Sequence, residues 1–352
     1  MMRKGRTIAF RCFLAVLAGF AMLVSDGTGS GRAADNSPPA SVELAFDRPL
    51  DASMAPFVLA ASRGLFGAEN LAVSFHLADG SPEAIARVAS GDSEFALADV
   101  NELIRFRDKA DAPPIKAVFV LFNQAPYAIV ARKSRGIHAL SDIQGKTLGV
   151  ADSDLSFHLW PALAKANGIK ASGVKLYRMS AAVREPILSA GQVDAVDGFS
   201  YLAAVNLRDR GVPASDLVVL RYADYGCEPY GFAIIVNPAF AAAKPEAIRG
   251  FVRAVIAGTN LAIKEPERAV DEVVDRMDAG ERDLELERLR TVIADNILTG
   301  EVRRNGLGGI DPERFSRAID QIGEDFKFHK KPQVQDIFDD SFLPPAGSRL
   351  IN

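Results

Sequence analysis

The sequence predicts an α/β protein of two lobes, each a doubly wound, mostly parallel sheet, with extra helices at the C-terminus. Three observations predict it. Apolar segments alternate between a period of two and helical spacing, and they do so twice along the chain. A Pro-Tyr strand recurs at both ends of the second stretch. Beyond Asn237 the strand signals stop and the chain reads as nearly all helix. The 352 residues suffice for two domains of roughly 100–200 residues and for a core that needs no disulfide or metal.

Residues 42–46 alternate apolar and polar as a strand does, and 55–65 carry apolar residues at helical spacing before Gly67. Residues 71–76 form a second strand with Ser74 and His76 on one face. Ser81-Pro82-Glu83 opens a helix, the serine as cap and the proline at the first helical position, and Ser90-Gly91 closes it. A short strand at 95–97 and a longer one at 115–121, behind Pro113-Pro114, complete a β-α-β-α-β unit. Alternation of this kind implies a parallel sheet with helices on both faces.

The second unit begins with a strand at 127–131 and a basic turn at 132–136. Ser141-Asp142-Ile143-Gln144-Gly145-Lys146 leads into a strand at 147–150. A helix at 155–166, with Pro161 near its start, precedes a strand at 174–177. A helix at 181–189, a strand at 195–196, a helix at 202–209 and a strand at 217–220 follow. Pro126-Tyr127-Ala128-Ile129-Val130 and Pro229-Tyr230-Gly231-Phe232-Ala233-Ile234-Ile235-Val236 flank this unit. One strand leaving and one returning lets the second unit (127–236) be inserted in the first (41–126 and 237–352). The alternative is that two buried strands share composition by chance. Helices are expected at 245–264, 266–277, 283–298 and 312–325.

The N-terminus reads as an export signal. Arg3, Lys4, Arg6 and Arg11 precede an uncharged stretch at 12–24, then a Gly/Ser-rich run and Gly31-Arg32-Ala33-Ala34-Asp35. A helix of that apolar stretch reaches only ~20 Å, short of the ~30 Å hydrocarbon core. Cys12 opens the apolar run, whereas a lipidated cysteine follows one. Cleavage near Ala33 or Ala34, removing 1–33, takes away five of 41 basic residues and one of 45 acids. The remaining 36 and 44 give the mature chain a net charge of −8 in place of −4. That acidity excludes nonspecific nucleic-acid or anionic-membrane binding. Cys227 is the only mature cysteine, so no intramolecular disulfide forms.

Catalytic signatures do not stand out. No G-x-G-x-x-G follows a strand, and neither a P-loop nor a G-x-S-x-G elbow occurs. The histidines His76, His138, His158 and His329 are too far from one another and from cysteine for short-spaced zinc binding. No metal and no cofactor are expected. Cys227 reads as an inert thiol, with a reactive role as the alternative.

Several stretches together resemble the periplasmic solute-binding proteins of ABC importers, in the nitrate/sulfonate/taurine and thiamine-pyrimidine-precursor group. Ala55-Pro56-Phe57-Val58-Leu59-Ala60-Ala61-Ser62-Arg63-Gly64-Leu65-Phe66, then Asn70-Leu71-Ala72-Val73, resembles the family's opening helix and strand. Ala89-Ser90-Gly91-Asp92-Ser93-Glu94-Phe95-Ala96 and Ala190-Gly191-Gln192-Val193-Asp194-Ala195 are similar to two further segments. Leu140-Ser141-Asp142-Ile143-Gln144-Gly145-Lys146-Thr147-Leu148-Gly149-Val150 resembles a third closely. Phe342-Leu343-Pro344 resembles the family's C-terminal ending. The resemblance implies a type II periplasmic-binding-protein fold, a periplasmic monomer, a small-molecule ligand held between two lobes with a hinge at 127–131 and 231–236, and an ABC permease and ATPase as partners.

In such sheets ligands bind at strand C-termini and helix N-termini. The turns there supply the candidate ligand-binding residues Asp47, Arg48, Ser53, Asp99, Asn101, Asn123, Gln124, Asp152, Ser153, Asp197, Glu228 and Tyr230. Asp152 and Asp154 are placed to cap a helix that otherwise offers its N–H groups to an anion. Their repulsion of an anion is worth about 1–4 kcal/mol at ~4 Å. The pattern favours a neutral or cationic nitrogen heterocycle, such as an aminopyrimidine thiamine precursor, over sulfonate, taurine or nitrate. Arg48 is the basic residue that argues the other way. Phe46, Phe122, Trp160, Phe199, Tyr225 and Tyr230 are the aromatic groups available to a flat ring.

The group includes pyrimidine-synthesising enzymes on the same fold, and the chain departs from them in three places. Their cysteine cluster aligns with 225–230, which holds only Cys227. Their reactive histidine aligns near Val100-Asn101-Glu102, and their glycine-rich phosphate loop aligns with 151–156, where aspartates stand. Binding without turnover is the expectation, with a sensing role that transports nothing as another alternative.

Overall fold

The computed structural model describes residues 38–351 apart from Ser153. The export segment 1–33 therefore lies outside the described residues. The first half builds β1 (Ala40–Phe46), α1 (Ala55–Ser62), α2 (Leu65–Ala68), β2 (Leu71–Leu77), α3 (Gly80–Ser90), β3 (Phe95–Asp99), α4 (Val100–Arg107) and β4 (Lys116–Val120). Next come β5 (Tyr127–Arg132), β6 (Thr147–Val150), α5 (Leu155–His158), α6 (Trp160–Ala166), β7 (Lys175–Arg178), α7 (Arg184–Ser189), β8 (Ala195–Phe199), α8 (Ser200–Asp209) and β9 (Leu217–Arg221). The chain then forms β10 (Phe232–Val236), α9 (Pro238–Ala243), α10 (Pro245–Lys264), α11 (Pro266–Val274), α12 (Arg282–Val292), α13 (Gly300–Asn305), α14 (Pro312–Ile322) and α15 (Val334–Ile337).

Two five-stranded sheets result, in the orders β2-β1-β3-β10-β4 and β7-β6-β8-β5-β9. In sheet one β1 runs parallel to β2 and β3, while β10 is antiparallel to both β3 and β4. In sheet two β6 is parallel to β7 and β8, while β5 is antiparallel to β8 and β9. The two Pro-Tyr strands are thus the antiparallel members of otherwise parallel sheets. Residues 127–131 and 231–236, expected as hinges, lie largely inside ladders, and the chain passes between sheets at 121–126 and 222–231.

Period-two patterning explains why both strands are buried on two faces. Tyr127, Ile129 and Ala131 of β5 join the core that runs between the lobes, and Ala128 and Val130 join the core under α7 and α8. In β10, Ala233 and Ile235 face the first core, and Phe232, Ile234 and Val236 face α10. α10 lays Phe251 onto Phe95 of β3 at 4.2 Å between ring centroids, with Phe66 stacked behind at 5.1 Å. At Gly258 the same helix touches α1 so closely that a methyl group would collide with the Pro56 carbonyl oxygen.

Several local expectations need correction. The turn expected at Asp99 and Asn101 opens a helix, α4, since Val100, Leu103 and Ile104 have helical spacing and the Asp99 side chain accepts from the Asn101 N–H at 2.9 Å. Ser81 lies inside α3, whose N-cap position is Asp79, while Gly91 at φ +85° closes the helix where expected. The single helix at 155–166 is two, because Pro161 has no N–H to continue the first and sits in the opening turn of the second. The helix at 283–298 ends in a π turn at Ile293–Ile297. α9 and α13 were not anticipated.

Candidate functional site

A cavity of about 880 Å³ opens between the lobes. Lobe one contributes the turns after β1, β2 and β3 together with the start of α3. Lobe two contributes Asp154, Leu155, Ala181 and Phe199. Strand C-termini and helix starts converge there because parallel ladders put all those ends on one side. Asp47, Arg48 and Asp99, three of the expected residues, stand on the wall.

A hydrogen-bonded unit organises the lobe-one wall. Arg48 donates to Asp47 Oδ1 at 2.6 Å and to Ser53 Oγ at 3.0 Å, and its guanidinium lies 4.1 Å above the Phe232 ring. Asp51 caps the turn at Ala52–Met54, accepting from the Ser53 N–H at 2.8 Å, and lies 3.6 Å from Arg48 Nε. Ser81 Oγ donates to Asp47 Oδ2 at 2.6 Å and accepts from the Asp99 N–H at 3.0 Å, so one hydroxyl joins the ends of β1 and β3. Burial pushes the Asp47 carboxyl up despite Arg48 beside it. Burial alone would lower the Arg48 pKa, but the neighbouring carboxylates of Asp47 and Asp51 help to outweigh it, and the guanidinium stays charged.

Asp99 ends β3. Its carboxyl accepts from the Asn101 N–H and, at 2.8 Å, from Asn101 Nδ2, and it receives the Tyr127 hydroxyl from lobe two. Asn101 is buried behind it and donates to the Tyr230 carbonyl at 2.6 Å. Burial pushes the Asp99 pKa up to about 7, against the lowering effect of those donors. Asp197 repeats the arrangement in sheet two. It is fully buried, receives the hydroxyls of Ser156 and Tyr222, and is pushed by burial to about 7. The Tyr127 and Tyr222 rings meet edge to face at 6.2 Å, so the two acids are linked through touching tyrosines.

The other expected residues fall elsewhere. Asp152 is exposed and pairs with Arg178. Ser153 lies outside the described residues. Asp154 occupies the N-cap position of α5 and receives Arg184, itself buried against Gly198. Asn123, Glu228 and Tyr230 belong to a second cluster tied to the C-terminal helices. There Arg314 donates to the Glu228 carbonyl at 2.9 Å, to the Asn123 carbonyl at 2.8 Å and to Glu301 at 3.0 Å, and lies 4.1 Å over the Tyr230 ring. One guanidinium therefore grips both crossovers between the sheets. The Gln124 N–H donates to the Asn296 carbonyl at 3.0 Å, and Asn296 Nδ2 donates to the Gln124 carbonyl at 3.1 Å. Tyr230, expected at the ligand, is fully buried, and its hydroxyl donates to Glu301 at 2.8 Å and accepts from the Asp311 N–H at 2.6 Å.

Phe199 is the aromatic residue on the cavity wall, stacked on Tyr127 at 6.0 Å. Phe46, Phe122, Trp160 and Tyr230 are core, and Tyr225 packs against core. Sequence reasoning missed Ser81, Glu102 and Arg184 as site residues. Cys227 is buried, and burial pushes its thiol up to about 12, far from the thiolate a nucleophile needs. Among the described residues no group of three His, Cys, Asp or Glu side chains is placed to hold a metal ion.

A family model described as "NMT1/THI5 like" matches residues 51–269. The chain belongs to the NMT1/THI5-like family. Within and around that family, the chain is 25% identical over 314 residues to riboflavin-binding protein RibY of Chloroflexus aurantiacus, covering 86% of each chain. It is 26% identical over 230 residues to 4-amino-5-hydroxymethyl-2-methylpyrimidine phosphate synthase of Aspergillus parasiticus, covering 63% of this chain and 66% of that one. Among solved structures, the fold is similar to the periplasmic aliphatic sulphonate binding protein SsuA of Escherichia coli. The TM-score there is 0.67 at 15% identity, over 85% of this chain and 91% of that one. A ligand-binding component of an ABC-type import system from Staphylococcus aureus gives 0.65 at 14% identity, over 87% and 98%. The NMT1/THI5-like chain thus has the two-sheet fold of periplasmic binding proteins.

Proposed function

We propose that this chain is the periplasmic solute-binding component of an ABC importer, and that it captures a neutral or cationic planar nitrogen heterocycle between its lobes. The observation that carries the ligand class is the charge of the cavity wall, where six carboxylates stand with a single guanidinium, Arg48. Arg48 is already engaged by Asp47 and Ser53, so a sulfonate or nitrate would have to compete with carboxylates for it. The volume suits a small heterocycle. Phe199 supplies a ring face, and Asp99 and Asp47 supply acceptors for ring amino groups. The relatives named for riboflavin and for a pyrimidine support this class. Asp152, Asn123, Gln124, Glu228 and Tyr230 act outside the contact surface in this reading, and the segments 121–126 and 222–231 carry the hinge. The ligand leaves chemically unchanged, and the protein works as a monomer feeding a permease and ATPase.

Thermal unfolding with a ligand panel tests the proposal. An aminopyrimidine or riboflavin is expected to raise the melting temperature, with about 2.7 kcal/mol of stabilisation at a concentration 100-fold above Kd. A shift with alkanesulfonates or nitrate and none with either heterocycle overturns it. A cationic ligand is also expected to displace the proton that Asp99 holds below pH 7. Its affinity should rise as pH is raised towards 7 and level off above, whereas a neutral ligand gives no such rise. Calorimetry in buffers of different ionisation heat reads the released proton directly.

A further inference from the structure

Beside the interlobe cavity a second hollow, of about 820 Å³, opens on lobe one. One side is α3, the other the end of α4, and the segment 326–330 after α14 closes the third. The floor is apolar, made by Ile85, Phe106 and Phe326. Asp108 pins the walls together, because its carboxylate accepts from the His329 N–H at 2.9 Å and the Lys330 N–H at 2.7 Å. The hollow is therefore part of the folded framework and not a gap between loose loops.

Its charge runs opposite to that of the chain. Arg105, Lys109, His329 and Lys330 line it, against Glu102 and Asp108, in a protein whose formal net charge is −4. Both acids are already engaged, Glu102 by Arg105 at 3.1 Å and Asp108 by His329 Nδ1 at 3.0 Å as well as by the two N–H groups. Lys109 and Lys330 are left on the rim with no carboxylate at ion-pair distance among the described residues. Arg105 lies 5.2 Å over the Phe326 ring, and Lys109 lies 5.0 Å over the Phe106 ring. Arg105 Nε is buried and has no hydrogen-bond acceptor. Flat apolar faces beneath surplus cations and an unused N–H match one kind of guest.

We propose that this hollow is a second binding site, separate from the interlobe cavity, for a planar aromatic anion whose ring rests on Phe106 and Phe326 and whose acid group lies between Lys109 and Lys330. Ring burial supplies roughly 25 cal/mol per Å² of apolar area, and the two lysines fix the orientation. The site shares Pro82 and Glu102 with the acidic cavity as a common wall.

Anilinonaphthalene sulfonate, whose planar naphthalene ring carries the acid group, is the probe. Its fluorescence is expected to rise saturably with the intact folded chain and to weaken with added salt. The double variant Lys109→Glu/Lys330→Glu should bind it about tenfold or more weakly, a loss of about 1.4 kcal/mol. Lys109→Arg/Lys330→Arg should retain it, and neither variant should alter the thermal shift from a ligand of the interlobe cavity. Crystals soaked with the probe should show it over Phe326. Absence of saturable binding, equal affinity in the glutamate variant, or the probe seated at Arg48 in the interlobe cavity each overturns the proposal. The last outcome would also count against the heterocycle reading, whereas the first two leave that reading intact.

Discussion

Between pH 4 and pH 7 the folded protein is expected to lose stability as pH rises, and Asp197→Asn is expected to flatten much of that fall. The sign comes from the proton. Asp197 has an ordinary pKa of 3.8, and burial raises it in the fold to about 7. Across that window the native state holds a proton that the unfolded chain has released, so stability is full below 4 and lost as pH climbs towards 7. The same holds for Asp99. Each group is worth on the order of 4 kcal/mol across the window. Asparagine stands in for the neutral acid, since it carries no titrating proton and its Oδ1 still accepts from the Ser156 hydroxyl. Asp154 and Arg184, which also act on Asp197, remain in place. Asp216 works in the other direction. The Ser134 N–H, then Arg132, hold it near 2, so its contribution disappears only on acidification below 4. Melting curves of wild type and variant taken at intervals from pH 4 to pH 8 decide the matter, and parallel curves refute it.

Phe251→Ala is expected to cost about 3–5 kcal/mol of unfolding free energy. The ring is fully buried and stacked between Phe95 of β3 and Phe66, so its removal opens a void at the join of α10 and sheet one. The surrounding strands cannot collapse into that void, because β10 and β3 are hydrogen-bonded through their length. Phe251→Leu should recover more than half of the loss. Urea unfolding followed by circular dichroism measures both, and a cost for the alanine variant below about 1 kcal/mol would show that the site repacks.

Local signals in the sequence were strong enough to place all ten strands, because each is short and, β7 (Lys-Leu-Tyr-Arg) apart, mainly apolar, with Gly, Pro or charged residues at its bounds. β6 and α10 match their expected limits, and both carry a clear start, the Gly145-Lys146 turn for one and Pro245 for the other. α4 was lost because its apolar spacing is interrupted by Asn101, Glu102 and Arg105, and only the cap at Asp99 marks its start. In the site, Asp47, Arg48 and Asp99 were legible since they follow directly on strands that end together. Tyr230 and Asn123 sit at equally suggestive turns, but Arg314 and Glu301 engage them, and nothing near them in sequence announces partners so far along the chain. Glu102 escaped for the converse reason, being a helical residue turned towards two cavities at once.

The place of β10 between β3 and β4 bears on the order in which the polypeptide can assemble. β4 pairs with β10, and its other two bridges run to Gly308 and Phe338, so every ladder partner of β4 lies after residue 231. Sheet two has no such debt, since its five strands are contiguous from Tyr127 to Arg221. A chain emerging from its N-terminus would complete the inner sheet while the outer one waited, its β3 edge unsealed and its fourth strand unattached. Closing so long a loop is slow more than it is costly, because the entropy grows only as the logarithm of its length. Nascent chains released before residue 232 should therefore hold a protected second sheet and an exchange-competent β4, a kinetic interval in which the outer lobe stays open to whatever handles unfolded protein.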